Sequence, residues 1–70
     1  MKQSFLNSLK GLFTDQAEAL VEAEDHVVLS VPSGTAISMQ LRPNTVILWL
    51  DEHNVVKKAT AGDPGQVDDT

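Results

Sequence analysis

Cysteine is absent from this 70-residue chain. No disulfide can staple it, and no Cys/His cluster can hold a structural zinc. Positive charge is scarce: Lys2, Lys10, Arg42, Lys57 and Lys58 are scattered against ten carboxylates, for a net charge of −5. Phosphate contacts need clustered lysine and arginine, so this balance excludes an ordinary nucleic-acid binder. No apolar run approaches the roughly 18 residues of a membrane span. Polar residues at Gln3, Ser4, Asn7, Ser8 and Lys10 break up the N-terminus, which leaves no signal-peptide core. A cytoplasmic protein is expected. At this length the chain is one domain, and a core this small rarely yields more than about 3–5 kcal/mol of net stability.

What is present begins with a helical pattern over residues 3–24. Phe5, Leu6, Leu9, Leu12, Phe13, Ala17, Leu20 and Val21 recur at three- and four-residue steps and form one apolar stripe. Gly11 interrupts the stripe, and Thr14-Asp15 restarts it. Asp15 with Glu18 three residues on reads as a variant capping box. The pattern predicts a helix over about 14–24, preceded by a short turn or helix ending at Gly11. Only two lysines stand on the polar face, too few for binding to an anionic lipid surface. The stripe is expected to pack on the domain's own sheet, and it is also the surface through which the chain would form a homo-oligomer.

From His26 the composition turns to strand formers. Val27 to Val31 is β-branched and ends at the turn signal Pro32-Ser-Gly34. Val46 to Leu50 is apolar on both faces, as suits a central strand covered on each side. Asp51 to Asn54 forms a turn in which Asn54 tolerates a left-handed conformation. Strands are expected near 26–31, 45–51 and 54–59, within a domain of residues 1–62. Residues 63–70 read as an acidic tail.

Between the first two strands lies Ala36-Ile-Ser-Met-Gln-Leu-Arg42. Ile37, Met39 and Leu41 alternate with Ser38, Gln40 and Arg42. By periodicity alone this is a half-buried strand, giving a four-stranded antiparallel meander with a helix on one face. The other reading is an extended loop offering Met39 to a partner.

The register of the whole chain bears on that choice. Leu9-Lys-Gly11, Ala17, Leu20-Val21, Val27 to Pro32 and Gly34-Thr35 follow one another at near-constant spacing. Ile37 to Arg42, Val46 to Asp51, Val55-Val56 and Gly62 continue the series. In this order they resemble the potato inhibitor I family of serine-protease inhibitors. The resemblance covers about Leu6 to Gly62, with a small deletion between helix and first strand.

It implies an α+β fold: one helix packed on a small mixed sheet, with an extended exposed binding loop over 36–43. It implies a chymotrypsin- or subtilisin-like protease as partner, bound through Ala36, Ile37, Ser38, Met39, Gln40, Leu41 and Arg42. Met39 would fill the first pocket, and Met39-Gln40 would be the bond presented for attack. One departure is plain. Where the family braces its loop with two arginines from the central strand, this chain has Thr45 and Ile47, and neither supplies that fork of donors. A looser loop and weaker inhibition follow.

The remaining candidates carry less chemistry. His53 sits in a polar turn with too few assured ligands for a metal. His26 beside Asp25 reads as a helix-to-strand connector, and no nucleophile stands on a strained elbow. Neither an enzyme nor a cofactor is expected. Trp49, the sole tryptophan, reads as packing in the core or under the loop.

Overall fold

A computed structural model describes residues 2–35 and 44–62. Two helices precede three strands: α1 Gln3–Ser8, α2 Thr14–Ala23, β1 Val27–Val31, β2 Thr45–Leu50 and β3 Val56–Ala61. The sheet is mixed and ordered β1-β2-β3. β2 pairs parallel to β1, with Val27 opposite Thr45 and Val31 opposite Trp49, and antiparallel to β3. The chain is therefore an α+β domain. β1 and β2 are direct neighbours, so the antiparallel meander expected from periodicity, with a strand of 36–42 between them, does not form. Residues 36–43 and the tail 63–70 lie outside the described residues.

Alternation along β2 divides the sheet into two faces. Val46, Leu48 and Leu50 join Leu6, Leu9, Ala17, Val21, Val56 and Ala59 in one buried cluster. α2 packs on β1 and β2, while α1 packs on β3. Val31, Ile47 and Thr45 are also buried but stand outside that cluster. β2 is thus covered on both faces, as its unbroken apolar run predicts. Among the described residues no buried side-chain nitrogen or oxygen lacks a partner, and no helix is long and apolar enough to cross a membrane.

β3 shows how local irregularity serves packing. Val56 and Ala59 are both buried while Lys57 and Lys58 between them are exposed. A strict two-residue period would send Val56 and Ala59 to opposite faces. The pairing shifts by one residue here, with Trp49 opposite Lys58 and Leu50 opposite Val56. This bulge turns both small apolar side chains inward. The strand runs on to Ala61, two residues beyond the expected end, and Gly62 N–H closes it by donating to Thr45 O at 2.7 Å.

The link between the helices is stitched to the start of β3. Gly11 N–H donates to Val56 O at 2.8 Å, Val56 N–H to Leu12 O at 2.8 Å, and Thr14 N–H to Asn54 O at 3.0 Å. Gly11 sits at φ 85°, where a side chain would strain the backbone. The expected capping box is corrected by these contacts. The N-cap is Phe13 and makes no side-chain cap, and Asp15 lies inside the first turn. The Thr14 hydroxyl donates to Asn54 O at 2.8 Å, and Glu18 accepts from the Ser30 hydroxyl at 2.8 Å. Tertiary partners have replaced the local cap.

The hairpin from β2 to β3 turns on Asp51. One of its carboxylate oxygens accepts from Val55 N–H at 3.0 Å and from His53 N–H at 2.8 Å. Asn54 takes the left-handed conformation at φ 62°. The Val55 N–H bond, followed by that of His53, holds the Asp51 carboxyl below its ordinary value. A depressed folded-state pKa adds stability that is present above the unfolded value of about 3.9 and is lost as pH falls through the folded one. Asp51→Asn keeps an acceptor but loses the charge. Wild type is expected to be the more stable at pH 7 in urea titrations, and the gap should close as pH falls from about 5 toward 2. A gap that ignores pH would contradict this account of the turn.

Candidate functional site

The candidate site is the frame around the connection from β1 to β2. A parallel pair needs a crossover of about a dozen residues or more, and residues 32–44 supply it without a described helix. At the exit, Thr35 N–H donates to Pro32 O at 3.2 Å and Gly34 sits at φ 79°. A Cβ at Gly34 would meet nothing within 4 Å, so its glycine answers to backbone angle and not to crowding. The expected binding residues Ala36, Ile37, Ser38, Met39, Gln40, Leu41 and Arg42 lie outside the described residues.

At the return, Asn44 stands in the left-handed region at φ 59°. Its carbonyl accepts from Val27 N–H at 2.8 Å. Its side-chain amide donates to Asp25 O at 2.6 Å, and its amide oxygen lies 2.6 Å from His26 Nδ1. The connector between α2 and β1 thereby holds the entry to β2. His26 lies in the helix-to-strand connector, and its ring bonds to Asn44. The His26 ring also lies 6.0 Å from that of Phe5.

Beyond Asn44 come Thr45 and Ile47, the first and third residues of β2. Each is 5% exposed, on the sheet face away from the helices; Val31, opposite Trp49 at the far end of the pair, is 2% exposed. Trp49 continues this face half-buried. Its ring N–H donates to the Thr60 hydroxyl at 3.0 Å, and Lys58 Nζ lies 5.9 Å from the ring centre. A buried threonine and a buried isoleucine make this part of the frame neutral.

Elsewhere the surface offers little chemistry. A shallow groove of about 430 Å³ is lined by Phe13, Thr14, Asp15, Leu50, His53 and Asn54. His53 is exposed on its turn, 3.5 Å from the Glu52 carboxylate. Among the described residues no three His, Asp or Glu side chains gather as a metal site.

The N-terminal stripe is divided in the structure. Leu6 and Leu9 are in the core at 1% and 0% exposure, while Phe13 is 60% exposed. Leu9 therefore cannot serve as an interface residue that is replaced without harm to the fold. Comparison with known protein families and with curated proteins finds no match for the chain.

Leu9→Ser should cost about 2–5 kcal/mol, as for other truncations in a packed core, enough to unfold a domain this small at room temperature. Phe13→Ser should leave the far-ultraviolet circular dichroism and the urea midpoint nearly unchanged. If both variants stay folded, the division of the stripe is wrong.

Proposed function

We propose that this chain is a serine-protease inhibitor that presents residues 36–43 to a chymotrypsin- or subtilisin-like enzyme, with Met39-Gln40 as the exposed bond. The observation that supports the reading is the direct parallel pairing of β1 and β2. It sends the 32–44 connection from one end of the pair to the other, between a glycine turn and a hydrogen-bonded asparagine. Fixed ends reduce the entropy a segment loses on docking. An extended segment held this way can add main-chain hydrogen bonds to an enzyme's cleft, while side chains in pockets give selectivity.

Met39 is unbranched, apolar and adaptable, which suits an apolar first pocket and not the acidic one of trypsin. The resemblance to the potato inhibitor I family agrees with the mixed sheet and the order of elements. The neutral pair Thr45 and Ile47 weakens the hold on the loop, so inhibition accompanied by slow cleavage is the expected behaviour. The chain acts in this reading by binding, without catalysis or a cofactor of its own, and the cytoplasm is its proposed compartment.

A second reading rests on the exposure of Phe13 and Leu20. These residues stand seven apart at the start and on the flank of α2, which suits docking on a partner or a second copy by an apolar face.

Incubation with subtilisin, chymotrypsin and trypsin, following residual activity and chain mass, separates the two. The inhibitor reading expects loss of subtilisin or chymotrypsin activity, with any cleavage confined to Met39-Gln40. Met39→Lys should move inhibition toward trypsin, and Met39→Asp should abolish it. Fully active enzymes at micromolar inhibitor would remove the proposal and leave the apolar face of α2.

A further inference from the structure

Two non-glycine residues in the left-handed region, Asp25 at φ 60° and Asn44 at φ 59°, face each other across a hydrogen bond. For residues with a side chain this conformation is costly and persists only where the surroundings enforce it. Asp25 is placed by the end of α2. Its N–H donates to Glu22 O at 3.0 Å, and His26 N–H donates to Val21 O at 3.2 Å. This is the Schellman pattern, in which glycine is the usual residue at the left-handed position. Here an aspartate occupies it, at the negative end of a helix with no basic residue in its last turn. Helix stability alone favours neither choice.

That strained corner presents three groups in a row to one residue. Asp25 offers a carbonyl, His26 a ring nitrogen and Val27 a backbone N–H, and Asn44 meets them with Nδ2, Oδ1 and its own carbonyl. The polarity is determined by chemistry. A carbonyl only accepts, so the NH₂ of Asn44 faces Asp25 and its oxygen faces His26, whose Nδ1 must then carry the proton. Both Nδ1-protonated neutral imidazole and imidazolium satisfy this, so the clamp does not require a charged histidine. Apart from asparagine, few residues tolerate the left-handed backbone and offer both a donor and an acceptor.

We infer that Asn44 is a positioning residue for protease inhibition: its clamp on Asp25, His26 and Val27 fixes the point and direction at which the binding loop re-enters the sheet. The inference rests on the inhibitor reading above. It assigns to this clamp part of the bracing that Thr45 and Ile47 do not provide. Asn44 touches no enzyme atom in this scheme and acts only through the loop it anchors.

The test compares wild type with Asn44→Gly, which keeps the left-handed backbone and removes the side-chain bonds to Asp25 and His26, at a temperature where both proteins are fully folded. Removing two hydrogen bonds of ordinary net strength should weaken inhibition about tenfold and speed cleavage at Met39-Gln40 by a similar factor. His26→Ala should reproduce part of the effect. Adding His26→Ala to Asn44→Gly should cost little more, because the two side chains share one bond. Val55→Ala, half-buried in the distant hairpin, controls for simple destabilisation and should leave inhibition unchanged. Inhibition and cleavage equal to wild type in Asn44→Gly would overturn the positioning role alone. So would a loss in Val55→Ala as large as that in Asn44→Gly. A wild type that inhibits none of the enzymes overturns the positioning role together with the inhibitor reading.

Discussion

The rest of the structure depends on β2 being hydrogen-bonded on both sides, parallel to one neighbour and antiparallel to the other. An antiparallel neighbour is reached by a tight turn, and Asp51 to Asn54 supplies it. A parallel neighbour is not, because the chain must travel back along the sheet before it can pair. That requirement creates the long 32–44 connection between β1 and β2.

Packing makes the arrangement affordable. The helices do not form a separate layer with its own core; Leu6, Leu9, Ala17 and Val21 meet β2 and β3 in one cluster. The interhelical link bonds to the first residues of β3, so that strand's outer edge is partly occupied along Gly11 to Thr14. Edges covered in this way resist pairing with other chains. With no disulfide, cohesion rests on this reciprocal stitching: the hairpin caps α2 through Asn54, and the end of α2 holds the entry to β2 through Asn44.

Much of this was legible in the residues. Val46 to Leu50 reads as a doubly covered central strand because no position in it is polar, and both helices are marked by the apolar stripe with Gly11 as its break. Other features were hidden because their cause is nonlocal. Asp15 and Glu18 make a plausible cap until Asn54 arrives from the hairpin to take Thr14. Val56 and Ala59 stand three apart, a spacing that only a bulge reconciles with a strand. The alternation of Ile37, Met39 and Leu41 by itself favours a paired strand, although an extended loop accommodates it too. The choice rests on whether β1 and β2 touch, which periodicity does not encode. Arg42-Pro-Asn44 reads in the sequence as a turn, and nothing there marks Asn44 as a clamp, since its three partners lie near residue 26.

The most direct measurement is therefore of strand order, by nuclear Overhauser contacts between backbone protons of the intact protein. Parallel pairing predicts contacts linking Leu29 with Ile47 and Val31 with Trp49 in register, together with antiparallel contacts between Leu48 and Ala59. Contacts that instead pair β1 with residues 37–41, and those residues with β2, would restore the antiparallel meander. They would remove the frame on which the functional reading stands.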